Sequence, residues 1–539
     1  MVVSVSADAS RVGRDVLADG GNAVDAAVAT AFALAVTFPE AGNIGGGGFM
    51  VIHPGRPSAF ANRGLSRPIV IDYRESAPAA ATRDMFASLK PPPSHLLVGV
   101  PGTVRGLALA HQKYGSLPWR RLVEPAEVLA RQGFTVDADL ARALNDALAR
   151  AADHPEFRRV FRPPNGNTWT PGDRLAQPEL AATLRLIADQ GERAFYSGPV
   201  AHKLVQTVRE GGGILTESDL ANYQAKERQP IHNTFRGHDL YAPPPPSSGG
   251  VALVEMLNIL EHFDLTENGP NAPQTLHFMI EAMRLAYFDR ARHLGDMDFV
   301  PLPNHLTSKD YAKKLAAGID SNRAGSSESL AAAAGLTLSQ PPAEGEHTTH
   351  FSVIDSSGMA VANTYTLEQS FGGMVVVKGC GFILNNEMGD FNARPGHTDR
   401  TGRIGTPPNE VAPGKRMLSS MTPTIIARDG RVVLVTGTPG GRTIINTVLR
   451  IVTAVLAHDV PARQAVDLPR LHHQWLPDVV KVEHPLAEHH PETIERLRRM
   501  GHQVQVVPRQ GDAHTIEVSP DGTITGVADG RRSGAAGRL

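Results

Sequence analysis

The chain has 539 residues, 41% of them hydrophobic and 20% charged, with 53 Lys plus Arg against 55 Asp plus Glu. This composition excludes a disordered polymer, and a net charge of -2 excludes an overall field for nucleic acid or anionic lipid. A single cysteine, Cys380, excludes an internal disulfide and a thiolate metal cage and reads as a small buried residue. The opening MVVSVSADAS has neither the basic nor the apolar region of a signal peptide. Helices are expected over Ala7–Ala18, Ala23–Val36, Thr103–Tyr114, Trp119–Gln132, Asp137–Ala151 and Pro178–Gln190, with Asn22 as an N-cap. The apolar run Ala23–Phe38 carries Asp25 and stops at Pro39, so it is read as a core helix and not as a membrane span.

Thr216–Asp219 (TESD) has the form of a capping box, and Pro243–Gly250 is a rigid entry into a helix over Val251–Phe263. Between Ser321 and Glu346 the composition turns to Ser, Ala, Gly and Pro, which predicts an exposed, mobile segment running into Thr348. From Thr348 apolar and polar residues alternate, turn at Asp355–Gly358 and alternate again over Met359–Thr366, the pattern of a β-hairpin. Pairing Asp355 with Gly358, or Ile354 with Met359, places Thr348 opposite Tyr365 and beside Thr366. Strands are expected at Pro423–Ala427, Arg431–Val435, Thr515–Val518 and Thr523–Val527. Arg442–His458 reads as an amphipathic helix with Ile444, Ile445, Val448, Leu449, Val452 and Leu456 on one face. Hairpin-linked strands with helices outside predict a layered α+β fold, and no linker of useful length divides the chain.

Four features bear on chemistry. A threonine hydroxyl is a weak nucleophile without a base beside it, and its own α-amine supplies one only after the preceding peptide bond is cut. A flexible segment before Thr348 suits such a cut, although it equally suits a plain surface loop. Thr436–Arg442 (TGTPGGR) lies between a strand and a helix, where Gly440 and Gly441 either turn backbone N–H groups toward an oxyanion or merely relieve crowding. Glu387 and Asp390 stand three apart, so they share a face of a helical turn, and Arg74 offers a planar fork for a carboxylate. The glycine run Gly45–Gly48 lacks the Lys of a phosphate loop and reads as close backbone packing. Among the 22 histidines, His347 and His350, His472 and His473, and His484, His489 and His490 match no established zinc pattern, so no metal or organic cofactor is expected.

The ordered segments GGNAVDAAVA (Gly20–Ala29), GGGGFM (Gly45–Met50), DYRESAP (Asp72–Pro78), PGTVRG (Pro101–Gly106), PPPSSGG (Pro244–Gly250), TTHFSVID (Thr348–Asp355), TYTLEQSFG (Thr364–Gly372), LNNEMGDF (Leu384–Phe391), KRMLSSMTPT (Lys415–Thr424) and TGTPGG (Thr436–Gly441) resemble the γ-glutamyltranspeptidase family of N-terminal-nucleophile hydrolases. The resemblance implies an αββα four-layer sandwich and a precursor cut between His347 and Thr348. It implies a large subunit, 1–347, and a small subunit, 348–539, held as one heterodimeric unit. It further implies Thr348 as nucleophile, with Thr349 bracing it and Thr366 orienting it, and Gly440 and Gly441 as the oxyanion hole. Arg74, Ser419 and Ser420 would hold the substrate's α-carboxylate, and Glu368, Glu387 and Asp390 its α-ammonium. The implied partners are glutathione and related γ-glutamyl compounds, with water, amino acids or peptides as acceptors. Some members carry Asn where this chain has Glu368, and Thr401 falls where many bacterial members have a lid tyrosine. Exported members lead one to expect a periplasmic or extracellular setting. A glutaryl or cephalosporin acylase on the same fold, and an unprocessed non-catalytic homologue, are the alternatives.

Overall fold

Period-two alternation sorts the strand residues between two faces. Val2, Met50, Ile52, Ile69, Ile71, Phe351, Val353 and Val361 join one core cluster, while Val3, Phe49, Val51, Val70, Ile354, Ala360 and Ala362 join another. These residues belong to a seven-stranded sheet in the order Ala535–Gly537, Val2–Ser4, Thr348–Ile354, Ala360–Thr366, Gly47–His53, Ile69–Asp72, Lys226–Arg228. A second sheet of six strands runs Ile524–Ala528, His514–Val518, Arg431–Thr436, Thr424–Arg428, His238–Ala242, Ile231–Phe235. Ile425, Val432, Val435 and Ile516 of the second sheet meet Val3, Phe49 and Val51 of the first, so the two sheets pack face to face. The computed structural model describes all residues except 56–64, 89–91, 268, 340–347, 533 and 538–539.

Helices cover both outer faces, which completes the expected αββα order. Ala7–Ala18, Ala23–Thr37, Trp119–Gln132 and Pro178–Gln190 lie over the first sheet, and Gly249–Leu260, Pro273–His293 and Thr443–His458 over the second. Every residue of Ala23–Thr37 is buried, and Asn22 and Asp25 form a reciprocal capping box at its start. Thr216 and Asp219 form the same device ahead of Glu217–Asn222. Thr443–His458 buries most of its circumference instead of one face, because Ile444 reaches the space between the sheets while Ile445, Val448 and Leu449 serve the outer core. Cys380 is buried, and among the described residues no helix is long and apolar enough to cross a membrane.

Two expectations need correction. The hairpin register is shifted by one, so Thr348 pairs directly with Thr366 and Thr349 with Tyr365. The cause is the turn: Asp355 N donates to Met359 O at 3.0 Å, which leaves a three-residue loop with Gly358 at φ +86° in place of a two-residue one. The segment after Ser321 is not structureless, since Ser326 caps a helix over Ser327–Ala333 that buries Ser327 and Ala331. Trp475 Nε1 donates to Ser327 O at 3.0 Å, and Leu338–Ser339 pairs in parallel with Thr398–Asp399. Residues 340–347, His347 among them, lie outside the described residues.

At Gly358 a side chain has open space, the nearest atom being 3.9 Å from an added Cβ, so the penalty of Gly358→Ala is the left-handed backbone alone. The variant is expected to lose about 1–2 kcal/mol, read as a lowered Tm in thermal unfolding. An unchanged Tm would mean that this turn does not hold the register.

Candidate active site

Thr348 heads a strand that lies between two others, and its alternation with Thr349 sends its side chain to the inner face of the sheet. Its hydroxyl stands 3.4 Å from that of Thr366, at the long limit of an O–H···O contact, and Glu368 N donates to Thr366 Oγ1 at 2.8 Å. Thr349 goes to the opposite face with Phe351 and Tyr365, so it adjoins Thr348 in the chain but does not line the cavity. Farther along the inner row, His350 Nδ1 meets Thr364 Oγ1 at 2.8 Å and Nε2 meets Ser352 Oγ at 3.1 Å. Burial, reinforced by His514, holds the His350 pKa well below its usual value, so the ring is neutral. It lies directly beneath the TGTPGGR turn, where a Cβ on Gly437 would stand 2.4 Å from its ring.

The glycine run behind the hairpin is close packing. Gly47 and Gly48 pair with Thr366 and Tyr365, and a Cβ on Gly46 would fall 2.0 Å from Thr366 O. Asn43, at the base of the run, donates to that same carbonyl at 2.8 Å and accepts from Gly46 N at 2.9 Å. The backbone around Thr366 is therefore clamped from both sides.

Thr348 opens into a cavity of about 1620 Å³. Arg74, Thr366, Glu368, Glu387, Asp390, Ser419, Ser420 and Gly441 share its wall, while Gly440 stands one residue behind. Glu387 and Asp390 begin and end a single 3₁₀ turn, so both carboxylates point the same way. Arg74 Nη1 lies 2.6 Å from Glu387 Oε2, and Nη2 pairs with Asp390. Arg74 Nε donates to Met417 O at 3.3 Å. The expected carboxylate site and ammonium site are thus in direct contact. Glu75, also fully buried, adds a third carboxylate 3.5 Å from the same guanidinium.

Burial opposes the Arg74 charge, but Glu387, Asp390 and Glu75 outweigh it and keep its pKa above the usual range. Burial raises Glu75 to about 8, with Arg74 pulling the other way. Glu387 is raised well above its usual value by burial, against Arg74 and with help from Glu75, Asp390 and Glu368. Neither oxygen of Glu75 or of Glu387 has a hydrogen-bond donor of good geometry, even though Glu387 sits within ion-pair distance of Arg74. One cation among several carboxylates leaves this wall short of positive charge.

The two serines are set by PPPSSGG. Ser248 N and Oγ both donate to Ser419 O, at 2.8 and 2.6 Å, and Ser247 Oγ donates to Met421 O at 2.6 Å. Arg290, from the last turn of Pro273–His293, donates to Ser248 Oγ at 2.8 Å and Ser420 Oγ at 3.1 Å. Gly440 and Gly441 take φ of +131° and +53°, backbone that disfavours other residues, just before the helix Thr443–His458. Thr401 does not line the cavity; its hydroxyl donates to Asp399 Oδ1 at 2.7 Å within a hairpin that does.

Of the histidines noted in the sequence, His350 meets Thr364 and Ser352, His472 meets Asn446 and His473 meets Asp478, while His347 lies outside the described residues. The described cluster closest to a metal site is a different one, His277, Glu281 and His502, all buried. His277 Nε2 faces Asp320 O at 2.8 Å and must carry the proton there, which leaves Nδ1 to accept from His502 Nε2 at 2.8 Å. Arg284 already lies 3.3 Å from Glu281, so a cation occupies the carboxylate side. Sequence reasoning also passed over Asn43, Arg290 and Asn386, whose amide donates to Glu368 Oε2. Asn386 lies within the segment LNNEMGDF and Asn43 just before GGGGFM, whereas Arg290 sits in an ordinary helical pattern that gives no signal.

A family profile described as Gamma-glutamyltranspeptidase matches residues 9–539. A glutathione hydrolase proenzyme of Escherichia coli (strain K12) is 44% identical over 98% of this chain and 90% of its own length. Among solved structures, a cephalosporin acylase from Bacillus halodurans superposes with a TM-score of 0.85 at 26% identity, covering 99% of this chain and 94% of that one. A γ-glutamyltranspeptidase from Helicobacter pylori is 40% identical with a TM-score of 0.56, covering 58% of this chain and 90% of that one. With the fold, the threonine-headed strand and a match along nearly the whole sequence in agreement, the chain belongs to the γ-glutamyltranspeptidase family.

Proposed function

We propose that this protein is a self-processing γ-glutamyl hydrolase and transpeptidase acting on glutathione and related γ-glutamyl amides through Thr348. The observation that carries the reading is one cavity wall that joins Thr348, facing Thr366, to Arg74 flanked by Glu387, Asp390, Ser419 and Ser420. A γ-glutamyl head group is a zwitterion. Its carboxylate suits Arg74 and the serine hydroxyls, and its ammonium suits Glu368, Glu387 and Asp390, which outnumber the one guanidinium among them.

Cleavage between His347 and Thr348 gives pieces 1–347 and 348–539 and frees the α-amine of Thr348. That amine takes the hydroxyl proton as Oγ1 attacks the γ-carbonyl, and backbone N–H groups at Gly440 and Gly441 receive the oxyanion. Collapse breaks the amide C–N bond, passes the proton to the leaving amine and leaves a γ-glutamyl ester on Thr348. Water or an acceptor amine then attacks the ester and restores the hydroxyl. The acylase alternative requires no ammonium recognition, and the retained pair Glu387 and Asp390 beside Arg74 favours the γ-glutamyl reading over it.

Thr348→Ala is expected to remain one chain on a denaturing gel and to release no nitroaniline from γ-glutamyl-p-nitroanilide. A variant that matured and turned over substrate would place the nucleophile elsewhere. Arg74→Lys keeps a charge among the buried carboxylates but loses the fork, so KM for the anilide should rise roughly tenfold or more with a smaller change in kcat; an unchanged KM removes Arg74 from recognition.

The raised carboxyl pKa values give a further test. With Glu75 near 8, the carboxylate cluster holds a proton at pH 7, and an arriving ammonium favours the ionised form. Binding of L-glutamate to the mature enzyme should therefore release protons at pH 7 and cease to do so above about pH 9. Calorimetry in two buffers of different ionisation enthalpy measures this, and proton uptake at pH 7 would show that the ammonium does not meet these carboxylates.

A further inference from the structure

The cavity is much larger than a γ-glutamyl head group requires, and its charge is divided. The carboxylates Glu368, Glu387 and Asp390 line the cavity with Arg74, and a hairpin spanning 392–406 brings two further cations, Arg394 and Arg403, to the same cavity. Gly396 N donates to Gly405 O at 2.7 Å and Asp399 N to Arg403 O at 2.9 Å, which closes the hairpin. Arg442 Nη1 donates to Gly402 O at 2.7 Å, so Arg403 follows a residue tied directly to the end of the Gly440–Gly441 turn. The hairpin is therefore held beside the reaction centre.

Among the described residues, no carboxylate lies within ion-pair distance of Arg394 or Arg403. Arg400, on the same hairpin, has Glu328 at 2.7 Å. Asp399 is engaged by Thr401 N, Thr401 Oγ1 and Arg403 N at 2.9, 2.7 and 3.1 Å. Asp84, also on the wall, has Arg83 at 3.5 Å. Both Arg394 and Arg403 are half-buried, where a guanidinium draws an anion more strongly than at an open surface.

We propose that Arg394 and Arg403 form a carboxylate subsite for the portion of the substrate beyond the scissile amide. The inference rests on the γ-glutamyl reading of the site and names the class of leaving group and acceptor: amino acids and short peptides with a free C-terminal carboxylate. A dipeptide leaving group places that carboxylate about 7 Å past the reacting amide. Arg394 and Arg403 share one cavity with Thr348, and Arg403 follows the residue tied to the end of the Gly440–Gly441 turn.

The test compares kcat/KM of the mature enzyme for glutathione, for its C-terminal amide and for γ-glutamyl-p-nitroanilide. Wild type should prefer the acid over the amide by roughly tenfold, the range of one charge-assisted contact. Arg394→Gln/Arg403→Gln, confirmed as mature by its two bands, should bring the ratio near one, and Arg403→Glu should turn it toward the amide. Equal wild-type rates on acid and amide, alongside good anilide turnover, would overturn the subsite and leave the γ-glutamyl reading standing. A preference that survives in the double variant would also overturn it. Failure of mature wild type on all three compounds would instead remove the γ-glutamyl reading, and the subsite with it.

Discussion

The pairing of Thr348 with Thr366 inside the seven-stranded sheet is the constraint on which the rest depends. A slip of one residue would send Thr348 to the helix-covered face and Thr349 into the cavity, because side chains alternate with period two. Three features prevent it: the three-residue turn at Gly358, the glycine strand Gly47–His53 that only a nearly bare backbone can approach, and Asn43, which holds the Thr366 carbonyl. The strand order adds a second consequence. Residues on either side of the proposed cut interleave in both sheets, with Val2–Ser4 between two later strands and His238–Ala242 beside Thr424–Arg428. A cut before Thr348 would break one peptide bond and none of the described strand ladders, which would keep the two proposed pieces in a single hydrogen-bonded unit.

The charged wall works by imbalance. A buried ion pair seldom stabilises a fold by much, since desolvating both charges offsets their attraction. Here Arg74 faces Glu387, Asp390 and Glu75, and the surplus is relieved by protonation, as the raised pKa values of Glu75 and Glu387 express. In the proposed complex a ligand's ammonium would supply the missing cation while its carboxylate took up donors of Arg74 and the serines, so that recognition and charge balance would be one event.

Most helices were legible because their caps and apolar periodicity are local. Ala7–Ala18, Thr103–Tyr114 and Trp119–Gln132 have the expected bounds. Glu387 and Asp390 were legible as a pair for the same reason, their spacing being that of a single turn. The hairpin was visible but its register was not, since one extra residue in the turn leaves the alternation of each strand unchanged. Ser327–Ala333 escaped because an Ala and Ser run with only two buried residues has no apolar stripe, and its place is set by Trp475 and Arg284 from far along the chain. Arg290 and Asn43 escaped on similar grounds: each acts through a partner more than a hundred residues away. Motif resemblance could name the segments around them but not the contacts between segments.

The hairpin 392–406 shows how far such contacts extend the site. Thr406 Oγ1 donates to Ala291 O, next to Arg290, which in turn holds Ser420. Its tip is tied to Arg442, and Thr398–Asp399 pairs with Leu338–Ser339, nine residues before Thr348 at the nearer end. Ser420, the Gly440–Gly441 turn and the strand Leu338–Ser339 ahead of Thr348 are therefore all anchored to one element. In a site assembled from at least five separate stretches of sequence, that shared anchorage would fix the proposed leaving-group wall relative to Thr348.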